Sequence, residues 1–351
     1  MINFPSGLAA HVLGDTTTLA YAFKVKRVDV SNNPVVMGFT LADRDAEFDG
    51  VLYRSSTGIS TSAMEYGTGL VAGHSEIYGF FALDAITEND ILAGLWDTAT
   101  VEIYLYNWAN IADGQALISK ARISEIRIEG RKFVAELSDL IDQLNVNIGD
   151  VTSPTCRTTL FSAKCKVRSN PPAWSAGLVC TANALYDAAL GTLVKPTTPN
   201  RYWYRCTTGG TAGGAEPTWT TTEGGTTSDG PVVWTTQRAF VQTGIVAAVT
   251  NNRVFTDSAI IEPNDFFSGG KIVWLTGANA GRKMEIKTQT GTTVSIFLPM
   301  LSPIEVGDTF EIYAGCYGRL TDCKDKFLNT YNMRAEPNKP RSDLIYSYAA
   351  R

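Results

Sequence analysis

Apolar side chains in this chain recur at every second position, over short runs that end at turn-forming residues. That period belongs to strands and limits the chain to a mainly β fold with few short helices. Residues 100–108, TVEIYLYNW, set Val101, Ile103 and Leu105 on one face, the pattern of a half-buried strand. Residues 123–136, ISEIRIEGRKFVAE, are two such runs meeting at Glu129-Gly130-Arg131, where the glycine supplies turn geometry and a hairpin is expected. Further strands are expected at 271–276, 282–288 and 293–298, between turns that contain Pro and Gly. Helical spacing is rarer. It occurs at 87–96, with Thr87 as cap and Ile91, Leu92 and Leu95 along one side, and at 135–145, with Leu137, Leu140, Ile141 and Leu144. A last short helix is expected over 321–331, N-capped by Thr321 or Asp322, followed by an extended tail at 332–340.

At 351 residues the chain is long enough for more than one domain. From 169 to 238 the composition shifts to Gly, Thr, Pro and Trp, yet Trp174, Tyr186, Trp203, Tyr204, Trp219 and Trp234 are too many large apolar side chains for a solvated linker. The expected organisation is therefore β-rich domains over 1–150, an inserted β module over 169–238 and a C-terminal β domain over 239–314. Two cysteine-bearing stretches, 151–168 and 315–351, flank the last two.

Thirty Lys and Arg against 35 Asp and Glu give a net charge of -5, and no basic block could neutralise a run of phosphates, so sequence-specific nucleic-acid binding is not expected. No apolar run reaches the roughly 18–20 residues of a membrane-spanning helix. The N-terminal run lacks a basic region followed by an apolar stretch, which predicts folding in a cytoplasm. His11 and His74 are the two histidines, and neither sits in a catalytic motif. Asp43, Asp45, Glu47 and Asp49 imitate a calcium loop but lack its terminal Glu, so a solvated loop is expected there.

Six cysteines remain: Cys156, Cys165, Cys180, Cys206, Cys316 and Cys323. Eight residues separate the first pair and six the last, neither being the two-residue gap of zinc ribbons. Both pairs stand in turn-rich stretches with basic neighbours, Arg157, Lys164, Lys166, Arg319, Lys324 and Lys326. Positive neighbours lower a thiol pKa and offset a thiolate-bound metal. On residues alone, metal binding and buried thiols both stay open. Cys180 and Cys206, inside the module, read as core thiols.

Residues 37–53 (MGFTLADRDAEFDGVLY), 78–96 (YGFFALDAITENDILAGLW), 99–108 (ATVEIYLYNW), 133–144 (FVAELSDLIDQL) and 315–329 (GCYGRLTDCKDKFLN) together resemble the tail-tip hub proteins of long-tailed bacteriophages and gene transfer agents. These are related to the minor tail protein L of lambda-like phages. The resemblance spans about 1–168 and 240–351. It implies barrel or sandwich hub domains and a non-enzymatic virion protein, assembled in the host cytoplasm and placed at the tail tip. It further implies a ring of three copies that closes the tail tube, touching a distal tail protein, a central fibre or spike and the tape measure protein. By the same resemblance Cys156, Cys165, Cys316 and Cys323 would ligate a structural [4Fe–4S] cluster, with zinc as the alternative metal. The inserted segment resembles small β modules of phage tail proteins, which makes a host-surface glycan a further expected partner. A tail-borne wall hydrolase is the competing reading, for which no catalytic motif is found.

Overall fold

The structure is a computed structural model that describes residues 3–29, 33–55, 60–61, 74–80, 88–92, 94–97, 99–129, 132–139 and 149–337. The expected turn at Gly130-Arg131, the Thr87 cap, the helix beyond 139 and the tail beyond 337 lie outside the described residues. The fold is mainly β and divides into two compact units, 1–149 and 150–351. No helix among the described residues is long and apolar enough to cross a membrane.

The first unit opens with a short helix, α1 (Ser6–Val12), and then builds one nine-stranded sheet. Its strands are β1 (Leu19–Val28), β2 (Pro34–Thr40), β3 (Ala46–Phe48), β4 (Val51–Arg54), β5 (Ser60–Thr61), β6 (His74–Phe80), β7 (Thr100–Asn107), β8 (Gln115–Glu129) and β9 (Lys132–Asp139). They lie in the order β3-β4-β2-β1-β7-β8-β9-β6-β5, and every neighbouring pair is antiparallel except β2 with β4. Alternation along the strands sends side chains to two cores. Phe23, Val25, Val101, Ile103, Ile123, Phe133 and Leu137 meet in one, closed by Trp96. Ala22, Tyr104 and Tyr106 point the other way, onto Phe48 and Tyr53, whose rings stack at 4.0 Å between centroids.

Strand β7 is consequently covered on both faces, not half-buried as its pattern predicts. The second face is aromatic, and its one charge is neutralised. Glu102 accepts hydrogen bonds from Lys26 at 2.8 Å and Tyr104 at 3.0 Å and pairs with Lys120 at 3.1 Å. Burial pushes its carboxyl up, but these three donors outweigh it and hold the pKa at about 2.

The hairpin expected over 123–136 is β8 paired with β9. The helix expected over 135–145 is overturned as far as Asp139, because that segment is β9, hydrogen-bonded between β8 and β6. Phe133, Ala135 and Leu137 also alternate, and a vacant place between two strands favours the extended reading. Helix α2 is shorter than expected, Glu88–Leu92, since the chain turns at Gly94 with φ 69°. Leu92 is exposed, leaving Ile91 and Leu95 to meet the core. His74 begins β6. His11 ends its turn by accepting a bond from the Thr18 backbone N–H at 2.8 Å.

The second unit holds the 169–238 segment and a rolled sheet. The segment forms β10 (Val179–Cys180), β11 (Leu193–Val194), β12 (Tyr202–Thr208), β13 (Gly210–Thr211), β14 (Thr226–Asp229) and β15 (Val232–Arg238), in the sheets β10-β13 and β11-β12-β15-β14. Their core contains Trp174, Tyr204, Trp234 and the free thiols Cys180 and Cys206. The buried Asp229 carboxylate fixes it, accepting from the indole N–H groups of Trp174 at 2.8 Å and Trp234 at 3.1 Å. Trp174, Trp203 and Trp234 thus fill interiors and offer no stacking surface to a sugar.

Strands β16 (Val241–Ile245), β17 (Ala248–Asn251), β18 (Val254–Thr256), β19 (Lys271–Trp274), β20 (Lys283–Thr290), β21 (Thr293–Ile296) and β22 (Thr309–Tyr313) follow, in the order β16-β22-β19-β20-β21-β18-β17. Only Val246 and Ala247 separate the two edge strands in sequence, so the sheet curls enough to bring one end of each edge strand together. Phe255, Trp274 and Phe310 fill it, with ring centroids 5.3–5.7 Å apart. Cys165, Val167, Leu193 and Trp203 join the same core, which ties the early cysteine stretch and the 169–238 segment to this sheet.

Candidate functional site

Two stretches distant in sequence meet beside the rolled sheet. Gly315 follows β22 and is the residue that lets this happen: a Cβ there would stand 1.7 Å from the Ser268 carbonyl oxygen. Next comes a tight turn with Gly318 at φ 70°, and then a π-helical turn, Asp322–Lys326. Thr321 is itself helical and makes no capping bond. Asp322 does the capping instead, its Oδ2 accepting from the backbone N–H of Tyr317 at 2.9 Å and of Arg319 at 3.3 Å.

The early stretch binds to this turn. The Cys156 N–H donates to the Gly318 carbonyl at 2.8 Å, the Arg157 N–H to the Arg334 carbonyl at 3.0 Å, and the Arg157 guanidinium grips Glu336 with two bonds of 2.6 and 3.0 Å. Asn329, fully buried, is the pivot on the inner side. Its N–H donates to the Cys323 carbonyl at 2.6 Å, its Nδ2 to the Cys165 carbonyl at 2.7 Å, and its Oδ1 accepts from Ala188 N–H and Asn332 Nδ2.

Cys156, Cys165, Cys316 and Cys323 therefore share one locality, all as free thiols; Cys323 feels the other three electrostatically, and Cys316 feels Cys156 and Cys165. Donors face the sulfurs: Gly318 N–H reaches Cys316 Sγ at 3.4 Å, Arg334 N–H reaches Cys156 Sγ at 3.4 Å, and Asn329 Nδ2 lies 3.8 Å from Cys165 Sγ. Cys180 and Cys206 stand apart in the core of the 169–238 segment.

The expectation that basic neighbours lower the thiol pKa values fails for the late pair. Burial pushes Cys323 up to about 12 and also raises Cys316, and the neighbouring thiols and Asp322 add to both shifts. Two of the cations are engaged elsewhere. Arg157 is spent on Glu336, and the Lys326 ammonium donates to the carbonyls of Phe266 and Gly315 while lying over the Phe266 ring. As bare thiols the late pair stays protonated, and four thiols, three of them facing N–H donors, are by their chemistry the kind of donor set that a thiophilic metal would bind by displacing those protons. Among the described residues, no group of three or more His, Cys, Asp or Glu side chains is placed to hold a metal ion. That includes the acidic loop, where Asp45 is bound to the Ser55 N–H and hydroxyl and Asp49 to Gln115.

Comparison with known proteins follows the same division. Residues 5–168 match the family model of a baseplate hub protein, N-terminal attachment domain, and residues 265–343 match that of the phage conserved hypothetical protein BR0599. The first match contains Cys156 and Cys165, the second Cys316 and Cys323, and residues 169–264 lie between them. No curated protein matches the chain. A chain of the solved virion of a native gene transfer agent particle is similar throughout, at 26% identity and a TM-score of 0.68, covering 98% of this chain and 96% of that one. The chain thus carries a baseplate-hub attachment domain over 5–168 and a phage conserved domain over 265–343, and is a structural component of a phage-like virion tail.

Proposed function

We propose that this hub is a non-enzymatic ring component, three copies of which close the tail tube, joining the distal tail protein to a central fibre or spike beside the tape measure protein. Cys156, Cys165, Cys316 and Cys323 hold a structural [4Fe–4S] cluster in it. The observation that carries the cluster reading is the meeting of four thiols from stretches roughly 150 residues apart, with backbone and amide N–H groups aimed at three of the sulfurs. Such N–H donors stabilise negative sulfur, which a ligated thiolate carries.

Zinc is the alternative metal, and four thiolates on one zinc ion would stand about 3.8 Å apart, as bonds of ~2.3 Å in a tetrahedron require. The centre would supply cross-linking in place of four thiol protons, and Asn329, Gly318 and Arg334 hold the sulfurs for it. Anaerobic purification with iron and acid-labile sulfide analysis tests this reading, together with assembly of tails carrying Cys316→Ser. Iron and sulfide in the wild type, and defective tails in the variant, are expected. Normal tails from protein that never holds iron would refute the structural role, and native mass spectrometry showing anything but a trimer would refute the ring of three.

A further inference from the structure

The four thiols differ in what can reach them. Cys165 and Cys323 are 8% and 6% exposed, closed in by Asn329 and Phe327. Cys156 and Cys316 are half-buried, and both line an open cleft of about 380 Å³. A space of that size admits a small organic molecule. Its remaining wall comes from the early stretch, at Thr159 and Phe161, and from the rolled sheet, at Lys271, Glu285 and Tyr313. One cation and one carboxylate give this wall no dominant sign, and the Lys271 ammonium rests 4.7 Å from the Tyr313 ring centre. An uncharged visitor meets no field that repels it.

A single turn presents both reachable thiols. The Gly318 carbonyl accepts from Cys156 N–H, and the Gly318 N–H donates to Cys316 Sγ. A Cβ on Gly318 would stand 3.5 Å from that of Cys156. One reachable sulfur thus comes from each of the two distant stretches.

We propose that this cleft is a modification site, through which small uncharged electrophiles reach Cys156 and Cys316 and leave the other four cysteines untouched. The step is an addition: the sulfur bonds to one alkene carbon of a maleimide, the thiol proton ends on the neighbouring carbon, and nothing leaves. The inference deepens the proposed function, since the reachable pair is the edge at which a bound centre is loaded or attacked. It is tested on metal-free protein, so it stands or falls separately.

The full chain, stripped of metal by a chelator and kept reduced, is pulsed with N-ethylmaleimide at neutral pH. It is then unfolded, blocked with iodoacetamide and mapped by peptide mass spectrometry. Cys156 and Cys316 should label at least tenfold faster than Cys165 and Cys323, with Cys180 and Cys206 protected as markers of the folded unit. Labelling of Cys165 or Cys323 as fast as the cleft pair, with the markers still protected, overturns the assignment. Equal reaction of all six overturns it too, because the metal-free chain then holds no organised site. A parallel pulse on protein as purified, with its iron content measured, separates the two ideas. Unprotected Cys156 and Cys316 in iron-free protein sink the cluster alone.

Discussion

At the scale of single residues, the side chains that matter most are polar and buried, and each is fully used. Asn329 satisfies the Cys165 carbonyl, the Ala188 N–H and Asn332 at once. Asn329→Leu keeps the branched shape and strands the Cys165 carbonyl and the Ala188 N–H, while Asn332 keeps its bond to Asp187, at about 1–3 kcal/mol for each unsatisfied group. Urea unfolding of the 150–351 unit should show a loss on the order of 3–5 kcal/mol, and a loss under 1 would mean that the site relaxes around the change. Glu102 makes a different prediction, in pH. Its folded pKa lies near 2, below the ordinary carboxylate value of 4.5. The stability it contributes is therefore complete above about pH 4.5 and is lost as pH falls through about 2. Between pH 5 and pH 3 the wild type should lose about 1–2 kcal/mol more than Glu102→Gln, after allowance for its half-exposed lysine partners. Parallel pH dependences of the two denaturation midpoints would show that Glu102 is not the group responsible.

At the scale of elements, the contact between the 169–238 segment and the rolled sheet includes a buried ion pair besides the packing of Leu193 and Trp203. Arg201, in left-handed backbone at φ 69°, grips the fully buried Glu262 carboxylate with two bonds of 3.2 and 2.9 Å. Breaking a buried pair from one side leaves an uncompensated charge, so Glu262→Gln should cost about 3 kcal/mol, and adding Arg201→Met should restore at least half of it. A double variant no more stable than the single one, in chemical denaturation, would argue that the pair acts through packing. Strands of this kind were legible beforehand wherever period two was unopposed, as in β7, β19, β20 and β21. Residues 135–139 were not, because Leu137 satisfies both a helical and an alternating pattern and only its neighbours β6 and β8 decide. The aromatic count of 169–238 correctly signalled a core. It could not show that Leu193 and Trp203 would enter the core of the next sheet, which is a property of the assembled unit. The four cysteines were singled out by resemblance and not by spacing, since the turn at Gly318 and the approach at Gly315, which set the two stretches side by side, leave no periodic trace. The raised thiol pKa values were misread because sequence shows which cations are near in number, not which carbonyls and carboxylates have already taken them.

At the scale of the whole molecule, each hydrophobic core among the described residues is made within one unit, two within 1–149 and two within 150–351. A cross-link among the four cysteines thus acts on the second unit alone. Joining Cys165 to Cys316 closes a loop of roughly 150 residues, and in the chain-entropy account such a closure removes about 4–5 kcal/mol of freedom from the unfolded chain. For a unit of about 200 residues that corresponds to a shift on the order of 10 °C in its melting temperature. Calorimetry of the full chain before and after removal of metal should accordingly show the transition of 150–351 falling by about that amount while the transition of 1–149 stays in place. The assignment of each transition is checked by Glu102→Gln, which should move only the first, and by Asn329→Leu, which should move only the second. If both transitions fall together on metal removal, the cross-link is not confined to the second unit. If neither moves although iron has been lost, the centre contributes nothing to the fold, and the need for four thiols in one place must be sought in chemistry rather than in stability.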